Sequence, residues 1–444
     1  MHSLFRAHRF GPGRTPPPPP PPPPADAADS DAAPCPASTH GCAFGLALRQ
    51  GRRATMEDFV AAKWTRCPST GQEVGLFGVM DGHGGASCCA FLARELLDAV
   101  LAHARFATDL PAALVEAFEA TDARFLQEGA RRAAAEAVRA SVAASAGAAA
   151  DPPMEQAAAA AAAAADAPSP RSTPPPPGGG RGSSGFYYYN GARSPGSAVG
   201  GGLANGNIVT AASAPPGEDG STAVVAVLRS DGLLAVANVG DSRAVLMRGG
   251  RAHTLSVDHK PNVREERLRI ERAGGAVVWS GVWRVGAAGA VGGAASGGGG
   301  GGGGGGLLAV SRAFGDRPLK LGAGVVATPD VKVVRLGPED RVLVLASDGL
   351  FDVMNAQEAL LIADGEACAS AAARRLAAAA LERGTLDNVS AVVVKLAFGG
   401  EGGASAGGEG GGAGAAGAVD FGSATATAAT AAAAAAAATA ATTS

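Results

Sequence analysis

Aromatic side chains make up only 5% of this 444-residue sequence, while 66 glycines and 29 prolines fill positions that could otherwise bury area. A chain so composed cannot be core throughout. Its six cysteines (Cys35, Cys42, Cys67, Cys88, Cys89 and Cys368) form no CxxC pair and no framework spacing. That argues against a disulfide scaffold and against cysteine-held zinc, and predicts reduced thiols in an intracellular compartment, cytoplasmic or nuclear. With 37 basic and 40 acidic residues the net charge is −3 and no basic stripe develops, so nucleic acid is not expected as a partner. Long apolar runs are missing too. The C-terminal Ala/Thr tract has the length of a membrane span but is nearly neutral in transfer energy, so no membrane partner is expected.

What is present is an ordinary globular vocabulary in three segments, Gly41 to Glu128, Asp219 to Val285 and Leu307 to Phe398, about 250 residues together. They predict one domain over 41–398, monomeric, interrupted by disordered inserts at 129–217 and 286–306. Closure entropy rises only logarithmically with loop length, so such inserts cost little. Residues 1–40 read as a disordered tail and 399–444 as a Gly/Ala/Thr-rich one. The run Pro16 to Pro24 should be an extended polyproline helix, a spacer or a docking site for a proline-reading partner. Arg6, Arg9 and Arg14 without a neighbouring acid also suit an organelle-targeting N-terminus; a solvated tail is the alternative.

Within the segments the hydrophobic periods are legible. Phe91, Leu92, Leu96, Leu97, Val100 and Leu101 share one helical face, and Leu110, Leu114, Phe118 and Phe125 another. "STAVVAVL" from Ser221, "LLAVANV" from Leu233 and "RAVLM" from Arg243 read as short strands of a meander, and "RVLVLAS" from Arg341 and "VSAVVVKL" from Val389 as two buried strands around a helix near Ala367 to Glu382. Short strands plus paired helices predict an α+β fold, antiparallel sheet covered by helices.

Acids punctuate these strands. In "FGVMDGHGG" Asp81 ends an apolar run; Asp241 follows "LAVANVG"; Asp348 follows "VLVLAS"; Asp387 precedes "VSAVVV"; Glu57 and Asp58 follow "RRATM". Any one of them reads as a turn aspartate. Together they suggest carboxylates converging on a rim, where like charges repel unless a cation sits among them. Oxygen-only ligands suit Mg²⁺ or Mn²⁺, and a pair of such ions suits a hydrolase that attacks a phosphoryl group with water.

The order of "RRATMED" (Arg52 to Asp58), "GVMDGHGG" (Gly78 to Gly85), "GSTA", "ANVGDSRAVL", "DHKP", "RIERAGG", "LAVSRAFGD", "VVATPDV", "LASDGLFDVM" and "GTLDNVSAVVV" resembles the motif series of the type 2C metal-dependent serine/threonine protein phosphatases, across all three segments. The resemblance implies a central antiparallel β-sandwich flanked by pairs of helices, four layers in all, with the metal site at one edge. It implies that Asp81 bridges two Mg²⁺ or Mn²⁺ ions, that the Gly82 carbonyl and Glu57 complete one shell, and that Asp348 and Asp387 hold the other ion. By the same resemblance Asp241 serves a weaker third position and Asp58 orients metal-bound water. Arg53 rather than Arg52 matches the phosphate-binding arginine, a role that a guanidinium with paired donors suits. His83 is implied as the general acid that protonates the departing serine or threonine oxygen after attack by a metal-bridging hydroxide, on phosphorylated protein substrates. The alternative is a pseudophosphatase that keeps the fold as a binding module, with the proline run and the "FYYYN" cluster at Phe186 to Asn190 as docking elements.

Overall fold

The computed structural model describes residues 37–148, 187–189, 218–288 and 306–397. The first segment forms β1 (Ala43–Arg49), β2 (Phe59–Arg66), β3 (Glu73–Met80), the two-residue β4 (Gly82–His83), and the helices α1 (Ser87–Ala102) and α2 (Leu110–Ala148). A short β5 (Tyr187–Tyr189) follows, then β6 (Gly220–Ser221), β7 (Ala223–Arg229), β8 (Leu233–Val239), β9 (Arg243–Arg248) and β10 (Arg251–Thr254). Helix α3 (Arg264–Arg272) leads into the hairpin β11 (Gly275–Ser280) and β12 (Val282–Ala287), then β13 (Phe314–Gly315) and α4 (Arg317–Ala323). The chain ends in β14 (Asp330–Arg335), β15 (Asp340–Ala346), α5 (Asp348–Phe351), α6 (Ala356–Gly365), α7 (Ala369–Glu382) and β16 (Val389–Lys395).

Two antiparallel sheets carry the fold, one ordered β1-β16-β15-β9-β10 and the other β14-β8-β7-β3-β2-β5. Successive strand residues point to opposite faces, and the apolar runs use both. In β7, Val224, Ala226 and Leu228 join Phe77 of β3, Leu345 of β15 and Val392 of β16 between the sheets. Ala223, Val225 and Val227 face the other way, against Phe91, Leu92 and Leu96 of α1 and Leu114 and Phe118 of α2. On the far side Val342 and Val344 of β15 and Val393 of β16 pack on Leu360 of α6 and Leu376 of α7. The result is the expected α-β-β-α arrangement, an α+β fold. Runs with no polar alternation are what strands covered on both faces require.

Two parts of the stretch 129–217 differ from the disordered insert expected there. Helix α2 continues to Ala148, and Val138 and Val142 on its extension are exposed. Residues 131–142 of the helix are exposed, and a proline-free run of Ala, Arg and Glu favours the helix there by propensity. Tyr187–Tyr189 pairs antiparallel with β2, Val60 opposite Tyr189, and extends the sheet by one short strand. The stretch 286–306 likewise begins inside β12, which pairs Ala287 with Gly275. The proline run, the remainder of both inserts and the tail from 399 lie outside the described residues. Among the described residues no helix is long and apolar enough to cross a membrane.

Candidate metal centre and active site

Strand register gathers the acids. Phe59 at the start of β2 lies opposite Met80 at the end of β3, Val79 opposite Val224 at the start of β7, and Ala223 opposite Val239 at the end of β8. In the other sheet Ala346, the last residue of β15, faces Arg243 at the start of β9 and Ala391 near the start of β16. Residues 57–58, 81, 241, 348 and 387 therefore all leave the sandwich at one end. One carboxylate oxygen from each of Asp81, Asp241 and Asp348 lies within 4.8 Å of the others. Three acids separated by up to 267 positions in the chain thus meet in one small volume.

Among the described residues little positive charge meets them. Lys260 Nζ contacts Asp241 Oδ2. Burial, and then the charges of Asp58, Asp348, Asp241 and Asp387, push the Asp81 carboxyl well above its ordinary range. Asp348 is pushed up to about 8 by burial and by Asp241, Asp352 and Asp387, against the opposing pull of Lys260. Asp58, 1% exposed, rises to about 6: burial dominates, the Ser390 and Ser347 hydroxyls oppose it, and Asp387 adds to it. A cluster that resists ionisation in this way, with oxygen donors alone, fits hard divalent cations of the Mg²⁺ or Mn²⁺ kind.

The remaining candidates surround this triplet. Asp387 is not among the three converging acids: its Oδ2 accepts a hydrogen bond from Arg53 at 2.5 Å, and its Oδ1 accepts one from the Asn388 N–H at 2.7 Å. Arg53, 58% exposed, is held at the rim by that contact. Glu57 Oε1 accepts a hydrogen bond from the Thr55 hydroxyl at 3.0 Å, and its carbonyl accepts one from the Cys89 thiol at 2.6 Å. Gly82 lies so close that a Cβ there would fall 2.5 Å from the Glu57 carbonyl oxygen. Asp58 accepts a hydrogen bond from the Ser390 hydroxyl at 2.7 Å. His83 Nε2 is 2.7 Å from Asp316 Oδ2. Burial alone would lower the His83 pKa, but the Asp316 charge and hydrogen bond outweigh it, and the net shift is upward.

Sequence reading passed over three residues of this neighbourhood. Asp316 was only the end of "RAFGD"; its φ of 48° makes it the one non-glycine residue in the left-handed region among the described residues, a usable sign only once the backbone is known. Asn388 ties its own loop to the β1–β2 connection at three points, donating to the Gln50 and Thr55 carbonyls at 2.7 and 3.0 Å and accepting from the Glu57 N–H at 2.9 Å. Lys260 could have been singled out as the cation of "DHKP", but nothing in the spacing ties it to Asp241.

Known proteins of one family are similar to this chain in sequence and fold. The family model described as Protein phosphatase 2C matches residues 203–389. The chain is 34% identical over 351 residues to the probable protein phosphatase 2C member 13, mitochondrial, of Oryza sativa subsp. japonica, covering 79% of this chain and 67% of that protein. It is 33% identical over 357 residues to the probable protein phosphatase 2C 45 of the same species, covering 80% of this chain and 88% of that one. Its fold is similar to the crystal structure of serine-threonine phosphatase 2C from Toxoplasma gondii, with a TM-score of 0.52 and 21% identity over 81% of this chain and 96% of that one.

Proposed function

The chain belongs to the protein phosphatase 2C family, metal-dependent protein serine/threonine phosphatases, and on that premise we propose that it hydrolyses phosphoserine and phosphothreonine in protein substrates using two Mg²⁺ or Mn²⁺ ions. The observation that carries this is the meeting of Asp81, Asp241 and Asp348 within 4.8 Å. Those three, with Asp387, Glu57 and the Gly82 carbonyl beside them, are the residues that would hold the ions, Asp241 at a weaker third position. Bound there, the ions supply an acidified water as nucleophile and positive charge against the phosphoryl oxygens.

The chain's own groups divide the remaining work. Arg53 exchanges its Asp387 partner for two phosphate oxygens, and its exposure leaves it free to turn toward an incoming phosphoprotein. His83, steadied by Asp316, delivers a proton to the departing serine or threonine oxygen, which is too basic to leave unaided. Asp58, buried and bonded to Ser390, orients the water. Purified protein should release phosphate from a phosphothreonine peptide with Mn²⁺ and stop when EDTA is added. Release that EDTA leaves untouched, or no release at all, would overturn the assignment.

A further inference from the structure

Asp241 sits at a corner that three consecutive residues grip. Asp258 binds Arg243, which follows the corner, through Oδ1 at 3.1 Å and Oδ2 at 2.7 Å. Lys260 contacts Asp241 itself. Between them His259, 2% exposed, holds Gly240 twice: its backbone N–H donates to the Gly240 carbonyl at 2.9 Å, and its ring Nδ1 accepts from the Gly240 N–H at 3.1 Å.

Gly240 needs such a hold. Its φ is +97°, and a Cβ there would strike the Thr222 side chain, so the tight backbone contact that aims Asp241 is open to glycine alone. Glycine brings no side chain of its own to keep the corner in place. Because Nδ1 accepts, the ring proton lies on Nε2, which faces Asp330 Oδ2 at 3.2 Å. Asp330 Oδ1 in turn accepts from Arg312 at 2.8 Å, and Arg312 binds Glu266 of α3. The imidazole is therefore fixed at both nitrogens, one on the metal corner and one on a charged network rooted in α3.

We propose that His259 is a positioning residue for the metal site: its Nδ1 locks the Gly240 N–H and so aims the Asp241 carboxylate at the weakest cation position. This rests on the reading of Asp241 as a metal ligand, and it assigns to the "DHKP" segment a part in setting how tightly that position binds.

The two ring nitrogens can be tested apart. In His259→Asn the amide oxygen falls where Nδ1 was and can still accept from Gly240, whereas His259→Gln places its amide near Nε2, keeping Asp330 and abandoning Gly240. Mn²⁺ binding to the full chain, followed by electron paramagnetic resonance of the free ion, should show the weakest position loosened about tenfold in His259→Gln and within about twofold of wild type in His259→Asn, since outer support of a metal ligand is worth about 10–100-fold in affinity. The Mn²⁺ concentration for half-maximal activity should move in step while kcat at saturating Mn²⁺ stays put. Equal loosening in both variants, or none in either, would overturn the proposal, since a purely structural histidine predicts no such split. Should His259→Gln fail to fold, Asp330→Ala, on a half-exposed side chain, frees the ring at its other end and should also loosen the weakest position; unchanged binding there would overturn the proposal. Wild-type protein that binds no Mn²⁺ would overturn the metal reading and this inference together, whereas normal wild-type binding with unaltered variants would overturn this inference alone.

Discussion

Two groups of carboxylates in this molecule have opposite electrostatic fates. At the end of the sandwich Asp81, Asp241 and Asp348 converge with little cationic company, and Asp81 and Asp348 are forced toward the protonated form. Near the base of the β11–β12 hairpin Glu266, 4% exposed, is saturated: Arg312 donates to Oε1 at 2.8 Å, and Arg269 and the Ser311 hydroxyl each donate to Oε2 at 2.7 Å. Burial alone would raise the Glu266 pKa, but Arg312 and Arg269 hold it far below the ordinary carboxylate range. A satisfied cluster is costly to break; an unsatisfied one is a cost kept for what it can bind.

The sharpest way to break this contrast is Asp81→Asn. Turnover should fall about a thousandfold or more, as for loss of a central electrostatic group, while the metal-free protein should melt about 2–4 °C higher, because a neutral amide removes the cost of forcing this carboxyl to keep its proton near pH 7. Phosphate release and calorimetry in EDTA check the two halves, and a lower melting point would show that the triplet is structural after all. Next in size is Glu266→Ala, which leaves Arg269 without a carboxylate and Arg312 with Asp330 alone, and should cost about 3–5 kcal/mol by urea denaturation. A loss under about 1 kcal/mol would remove the distinction between the clusters.

His83→Ala should slow hydrolysis of alkyl phosphates about a hundredfold and of aryl phosphates much less, because a phenolate leaves without a proton. Equal losses on both would count against proton delivery. The smallest effect is in acid. Glu266 and Asp330 both have depressed pKa values, Asp330 through its His259 hydrogen bond and Arg312. Their stabilisation is complete above the unfolded carboxylate range, about pH 4.3, and is lost as pH falls through their folded values. Glu266→Gln should therefore flatten the fall in denaturation midpoint below about pH 4.5.

Much of the fold was legible because its strands are covered on both faces and so appear as unbroken apolar runs: β8 spans Leu233–Val239 and β16 spans Val389–Lys395, close to the runs read from the sequence. The hairpin β11–β12 and helix α3 were not. Residues 275–280 mix buried, intermediate and exposed positions, and the helix buries only Glu266 and Ile270, so neither shows a clean period. The extension of α2 was missed for the opposite reason, since its alanine-rich sequence has no apolar period and looks like filler.

The types of residue that can hold a hard cation, and their attachment to strand ends, were determined by the sequence alone, because apolar runs and the acids that stop them are local properties. Which oxygens actually converge, that Arg53 rests on Asp387, and that His83 leans on Asp316 were decided by tertiary structure. Those contacts span 233 to 334 residues, and only the antiparallel register of two sheets brings such distant chain to one rim.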